Sequence, residues 1–455
     1  MRLFTITACA MLLAACQGYD PMPLDSGEHL KAWAKRDPRD ASVVEYAKQL
    51  AKVDTQKRAP YDLGDGISLH EAEVVALFFN PDLRVARLHA DVELAGAREA
   101  GYWDNPELEI DATRILASVD NPWILGAGIS FTLPLSGRKG VEEDLAWAEH
   151  DVTRAQVIER EWEILVELRQ LWRERSGLIE QQRLTEEFIA DVRVVQEIAN
   201  ALVNAGELIA LDARLFELEI ASQRASVARL NTQQRDSELR IRELMGLRHD
   251  APLALSDTIE PVAALPGKRE DELLARNPLL EVKRAEYAVS EQHLRLEVRK
   301  QYPDLTIGGG YELEEGQSRI SVMFGLPIPI LNLNREGIAR AKGARLASRA
   351  EFEGATEHLL HRLARAELRM NAAREQRAFI EREIAPLADQ QVVDARRLAE
   401  LGEFEALTQL EALARRFEAR LQVLEAAQEE ALAGDETLAL LGPTWRFADK
   451  ENDDE

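Results

Sequence analysis

The chain has 455 residues, and its 81 acidic side chains outnumber 56 basic ones, giving a formal net charge of −25 at pH 7. Proteins hold nucleic-acid phosphates mainly through Lys and Arg, so a nucleic-acid-binding role is excluded. Two cysteines, eight scattered histidines and no glycine-rich phosphate loop or nucleophile motif argue against an enzyme or a cofactor protein.

In chain order, Arg2 and the apolar stretch Leu3 to Leu13 read as a secretory signal, too short for a membrane-spanning helix. The stretch ends Leu13-Ala14-Ala15-Cys16, which resembles the bacterial lipoprotein cleavage box; that resemblance implies that residues 1–15 are removed and that Cys16 carries acyl chains. Gln17 follows where an aspartate often marks inner-membrane retention, which points to the outer membrane. Removing residues 1–15 takes Arg2 away and leaves a net charge of −26. A concave or tubular wall of that sign concentrates cations. Beyond the signal no apolar run approaches ~18 residues, so any membrane-spanning part has to be built of strands. Residues 16–67 read as an anchored tether with one short helix, Val43 to Lys52.

The central feature is an internal duplication. Asn80-Pro81 and Asn277-Pro278 lie 197 residues apart, and each asparagine is followed 26 residues later by a second proline, Pro106 or Pro303. Leu202, Gly206, Glu207 and Leu211 match Leu398, Gly402, Glu403 and Leu407 at an offset of 196. The two units read as residues 68–267 and 268–441, with an acidic tail at 442–455.

Each unit has a helix and then a pair of short segments of period two. These are about 107–116 and 123–133 in the first unit and about 304–314 and 318–328 in the second. Leu305, Ile307, Tyr311 and Leu313 alternate with Thr306, Gly308, Gly310 and Glu312, the apolar-out, polar-in pattern of a barrel strand. The links Ser118 to Pro122 and Glu314 to Gln317 make each pair a hairpin. Pro134, Pro327 and Pro329 then end the ladder, since proline has no N–H to donate.

About Val141 to Val203 and Ile338 to Leu401 read as very long helices, roughly 90 Å each at 1.5 Å per residue. Phe352, Ala355, Leu359, Leu363, Ala366, Met370 and Ala373 mark a coiled-coil seam in the second; Ile158, Trp162, Leu165, Leu168, Trp172, Ile179, Phe188, Val192, Val195 and Leu202 mark a similar one in the first. Each ends in a glycine break, at Gly206 or Gly402, and a return helix follows. Residues 246–267 form a belt between the units.

Four strands cannot close a membrane barrel, and open edges are not tolerated in lipid, so the barrel has to be shared between subunits. Three chains give twelve strands and room for an aqueous lumen. The fold class is therefore mainly α with membrane β: a coiled-coil helical tunnel and four strands per chain. The order helix, strand pair, very long helix, glycine hairpin and return helix, given twice over about Ser68 to Leu441, resembles the TolC-like outer-membrane factor family. Within it, Asn105-Pro106-Glu107-Leu108 after an Ala-Gly-rich helix is similar to the outer-membrane subunit of heavy-metal cation efflux systems.

That resemblance implies a homotrimer whose twelve-stranded barrel continues into a periplasmic tunnel, working with an adaptor protein and an inner-membrane pump. It places adaptor contacts on Gly206, Glu207 and Leu208 and on Gly402, Glu403 and Phe404. It places a gate at Asp212, Thr408 and Glu411, where Thr408 departs from the family's acidic pattern. No cofactor is implied beyond lipid on Cys16, and no metal site: His358 and His361 share a helical face but lack a second set of ligands. A drug-efflux or type I secretion duct fits the same features. A periplasmic coiled-coil scaffold lipoprotein accounts for the helices and Cys16 but not for the paired alternating segments.

Overall fold

The computed structural model describes residues 19–53, 60–64, 66–116, 123–256, 265–314 and 317–444. The processing region with Cys16 and the hairpin link 118–122 lie outside these residues.

Two helices stand where one was expected ahead of the first unit. Helix α1 (Ser26–Ala34) starts where the Asp25 carboxylate accepts from the Gly27 and Glu28 N–H groups, and α2 covers Ala41–Val53. Rather than trailing as a tether, they dock: Trp33 Nε1 donates to the Gly246 carbonyl at 3.0 Å, and Arg36 donates to the same carbonyl and to that of Phe79. Val43 is fully buried in a cluster with α3 (Leu69–Phe79) and with Trp162, Leu168 and Trp172. Part of the belt joins this cluster. Ile67 and Leu255 form a parallel bridge, with Ile67 N–H donating to Ala254 O at 2.9 Å and Ser256 N–H to Ile67 O at 2.8 Å.

Each unit is launched by an asparagine. Asn80 accepts from the Asp82 and Leu83 N–H groups and caps α4 (Pro81–Arg98), whose first-turn proline lacks only an N–H that would have no helical partner. The hairpin of β1 (Glu107–Arg114) and β2 (Trp123–Leu133) follows, then α5 (Arg138–Ala205) and the return helix α6 (Ala210–Leu244). The second unit repeats this with α7 (Arg269–Arg276), α8 (Pro278–Arg299), β3 (Leu305–Glu314), β4 (Gln317–Gly325), α9 (Arg335–Phe379), α10 (Ala385–Glu400) and α11 (Ala406–Leu441). Strand β4 stops short of its expected end at 328, ahead of Pro327 and Pro329.

Helix α5 runs unbroken for 68 residues, about 100 Å. The second long helix does not. One π turn, Ile380–Ile384, separates α9 from α10, with the Ala385 N–H reaching back to Ile380 O. The cause is Pro386, which has no N–H for the Arg382 carbonyl and would crowd it; one widened turn absorbs the misfit without ending the rod. Most seam positions are buried, Leu359, Leu363, Ala366, Met370 and Ala373 on α9 and Trp162, Leu165, Leu168, Trp172, Phe188, Val192 and Val195 on α5, while Phe352, Ala355, Ile158, Ile179 and Leu202 are half-buried.

The four strands form one antiparallel sheet in the order β1-β2-β3-β4, so the β2–β3 pairing joins the two units. Strand-to-helix turns match as well. Gly137 (φ 67°) and Asn334 (φ 49°) both take the left-handed conformation before their long helices. Asn334 tolerates it because its amide donates to the Glu297 carbonyl at 2.8 Å and to Glu297 Oε2 at 2.7 Å.

Candidate functional site

The sheet separates its chemistry by face. One face carries Leu108, Ile110, Leu125, Ile129, Phe131, Ile307, Tyr311, Leu313, Ile320, Val322 and Phe324, brought together by register: Ile110 opposite Ala127, Ala127 opposite Tyr311, Tyr311 opposite Ile320. The other carries three cross-strand rows. They are Glu107-Ser130-Gly308-Met323, Glu109-Gly128-Gly310-Ser321 and Asp111-Gly126-Glu312-Arg319.

Glu107, Glu109, Asp111 and Glu312 thus line, over a floor of glycines, a hollow of about 270 Å³, while the Arg319 guanidinium pairs with Glu314. The glycines make room for the acids: a Cβ on Gly126 would lie 2.1 Å from Asp111 Oδ1. The sheet is apolar enough on one face for lipid and polar enough on the other for a water-filled lumen. Strands β1 and β4 leave their outer edges unpaired among the described residues, which in lipid demands another strand on each side.

Below the sheet, an ion-pair girdle fixes the strand-to-helix turn. Arg138 meets Asp304 at 3.2 Å, Lys139 meets Asp104 and Glu142 at 3.2 Å each, and Ser136 Oγ donates to Asp304 at 3.2 Å. On the neighbouring turn the Glu297 carboxyl is held below its usual range, first by Lys300 and then by the Asn334 amide.

At the far end the two hairpins close identically. Gly206 (φ 77°) donates to Val203 O and Glu207 N–H to Leu202 O; Gly402 (φ 88°) donates to Ala399 O and Glu403 N–H to Leu398 O. Both are Schellman terminations, which only a left-handed residue completes at little cost. Gly206, Glu207, Gly402 and Glu403 are exposed. Leu208 and Phe404 are not free tips: both turn back and pack on the cluster of Phe188, Val192, Phe216, Val392 and Leu413 that joins the hairpins. The apolar groups that do face outward are Ile209, Leu211, Leu401 and Leu407, with Leu401 72% exposed. Period alone could not separate these from the inward pair, because the helix restarts within two or three residues.

Thr408 and Glu411 line one hollow of about 260 Å³ with Gln391, Asp394, Leu398 and Arg415, while Asp212 stands apart in the first turn of α6. Glu411 is not a lone charge: Arg415 lies 3.8 Å away, and itself meets Glu418 at 3.2 Å. The Thr408 hydroxyl donates to Glu405 Oε2 at 2.7 Å. Sequence reasoning missed a polar tie between the hairpins, Asp191 on α5 held by Arg416 on α11 and by Arg396 at 3.7 Å. Partners 225 residues apart leave no local signal. His358 and His361 are both exposed, and no group of three or more metal-ligating side chains converges among the described residues. No helix among them is long and apolar enough to cross a membrane.

Residues 75–247 and 271–442 match the outer membrane efflux protein family, one segment for each unit. The chain belongs to that family. It is 25% identical over 383 residues to the cobalt-zinc-cadmium resistance protein CzcC of Cupriavidus metallidurans, a match covering 80% of this chain and 87% of that one. Among solved structures, CusC superposes with a TM-score of 0.72 at 16% identity, covering 86% of this chain and 96% of that one. The outer membrane protein VceC of Vibrio cholerae gives 0.69 at 17% identity, covering 82% and 96%. The open state of the Neisseria gonorrhoeae outer membrane channel MtrE gives 0.68 at 17% identity, covering 82% and 89%. The fold is therefore that of the outer-membrane efflux channels, a family of trimeric ducts rather than enzymes, which work with adaptor and inner-membrane pump partners.

Proposed function

We propose that this efflux channel is the exit duct of a pump for heavy-metal cations, anchored in the outer membrane by lipid on Cys16. The supporting observation is the acidic wall: Glu107, Glu109, Asp111 and Glu312 share the polar sheet face with one basic residue, Arg319. Three copies around a narrow lumen would focus a negative potential along the path and enrich cations over anions. The 25% identity to a cobalt-zinc-cadmium resistance protein points the same way. Metal cations here are cargo, handed on by an adaptor and pump that dock at the exposed tips.

The test is deletion of the gene and complementation, with growth scored across cobalt, zinc, cadmium and a panel of drugs. Selective loss of metal tolerance is expected. Loss of drug tolerance with metal tolerance intact would move the duct to a drug-efflux system. For the anchor, Cys16→Ser should abolish acyl labelling and leave an uncut or differently cut precursor; unchanged labelling would remove the anchor from the account.

A further inference from the structure

The two faces of the sheet divide its charges unequally. Glu107, Glu109, Asp111, Glu312, Glu314 and Arg319 stand on the polar face, and one charged strand residue, Arg114, stands on the apolar face in line with Leu108, Ile110 and Ala112. Arg319 is answered by Glu314. Arg114 is exposed, and no carboxylate pairs with it among the described residues. In a chain of net charge −25, an unanswered cation on an apolar face needs a physical reason.

Its height in the sheet supplies one. Arg114 stands opposite Trp123 in the β1–β2 row farthest from the helices, with its guanidinium 5.7 Å from the Trp123 ring centre. From that row β2 runs to Leu133, close to the girdle of Arg138 and Lys139. The 11 residues of β2, rising ~3.4 Å each along a strand tilted by about 40°, span roughly 25–30 Å, the height of the apolar band of a membrane barrel. Arg114 and Trp123 therefore mark the far boundary of that band, where a lipid-facing charge costs little, rather than its midplane, where it costs most. Other polar groups on this face gather in the same upper part: the Tyr311 and Ser318 hydroxyls meet at 2.7 Å. Phe131, Leu133 and Phe324 occupy the end beside the helices.

We propose that Arg114, backed by Trp123, binds the anionic, phosphate-bearing headgroup of a lipid in the leaflet away from the helices. A guanidinium presents its N–H groups in a planar fork that matches phosphate oxygens, and an aromatic ring against its face leaves that fork free to donate. Ile110, Leu125 and Ile320, exposed on the band beneath, take the acyl chains of the same lipid. The inference rests on the lipid-facing reading of the apolar face and adds a ligand at its rim.

A free phosphate ion shares the headgroup's chemistry but not its reason to stay. One exposed arginine holds an ion weakly, and a chain this acidic repels anions from its surroundings. A lipid is held at two places at once. With its chains already on the apolar band, its headgroup meets Arg114 at a high effective concentration, so a single charge-assisted contact is enough to select it over a lipid without net charge.

Native mass spectrometry of the full-length protein in mild detergent, titrated with phosphatidic acid, phosphatidylcholine or inorganic phosphate, tests this. The parent should take up phosphatidic acid in preference to phosphatidylcholine. Arg114→Gln should weaken that uptake about tenfold, the loss of one charge-assisted contact, and Arg114→Lys, which keeps the charge without the fork, should recover part of it. Arg319→Gln, on the other face, should bind as the parent does. Equal uptake of the two lipids, or parental uptake by an Arg114→Gln protein that still runs as a trimer, overturns the site. Should Arg114→Gln fail to assemble, Trp123→Leu, which removes the ring and keeps an apolar side chain, is expected to lose part of the uptake, and parental uptake there overturns the site. Displacement of the lipid by equimolar inorganic phosphate makes it an ion site and overturns the lipid. Loss of uptake in Arg319→Gln with Arg114→Gln unaffected overturns the lipid-facing reading of the apolar face as well.

Discussion

The Asn80 side-chain amide donates to the main-chain carbonyl of Leu244 at 2.8 Å, tying the start of the first unit to the end of its return helix 164 residues later. Asn277 does the same to Leu440 at 2.8 Å in the second unit. Each asparagine therefore serves twice, its oxygen capping the helix that begins there and its nitrogen satisfying a carbonyl left over at the end of another. Asn80→Ala should cost roughly 2–3 kcal/mol, the sum of a lost cap and an unsatisfied buried carbonyl. Asn80→Asp, which keeps the acceptor and loses the donor, should recover only the cap. Thermal melting of the detergent-solubilised protein gives the comparison, and a wild-type melting temperature for both variants would show the tie to be incidental.

Much of this was legible in the sequence. Period-two alternation located the four strands to within about three residues at each end because each faces two different media, and glycines located the tips because Gly206 and Gly402 take a left-handed turn. Other features were not legible. The repeated Asn-Pro phrase marked the duplication without revealing the tie to Leu244, since a hydrogen bond across 164 residues has no local pattern. The π turn at Ile380–Ile384 was hidden because Pro386 inside a strong coiled-coil stripe can break, kink or widen a helix, and only packing on both sides selects the last. The inward turn of Leu208 and Phe404 depends on how two hairpins pack together, which neither hairpin encodes alone.

Two left-handed glycines should respond differently to alanine. Gly206 (φ 77°) has no atom within 4 Å of a Cβ, whereas at Gly246 (φ 66°) a Cβ would lie 2.2 Å from the Phe79 carbonyl oxygen. Gly206→Ala should cost about 1–2 kcal/mol, the left-handed penalty alone. Gly246→Ala should cost clearly more, because the Phe79 carbonyl also accepts from Arg36 and cannot move freely. Denaturant titration ranks the pair, and equal losses would mean the close approach at Gly246 relaxes without consequence.

The two sheet faces differ in what they tolerate. Val322→Arg places a charge on the lipid side and should cost roughly 2–4 kcal/mol near the bilayer midplane, while Ser321→Arg, one residue away on the acidic face, should assemble normally. Trimer yield in outer-membrane fractions reads this out. Equal damage from both would show that the alternation does not separate lipid from lumen.

Removing charge near the tips should open the channel electrostatically. Asp212→Ala with Glu411→Ala is expected to raise single-channel conductance and weaken block by divalent cations, without loss of trimer. Arg415 stands 3.8 Å from Glu411 and offsets part of its field, so the effect should be modest. It should shrink further as the Debye length falls from ~10 Å at 0.1 M salt to ~3 Å at 1 M. Parental conductance and block at low salt would mark both acids as ordinary solvated surface.

The central claim is an acidic lumen built from the polar face of a shared sheet, and its most direct test is the reversal potential of the purified trimer across a planar bilayer under a salt gradient. The account predicts cation selectivity at 0.1 M salt that falls when Glu109→Gln and Asp111→Asn are combined. An anion-selective or unselective channel, or a reversal potential indifferent to those two substitutions, would contradict it.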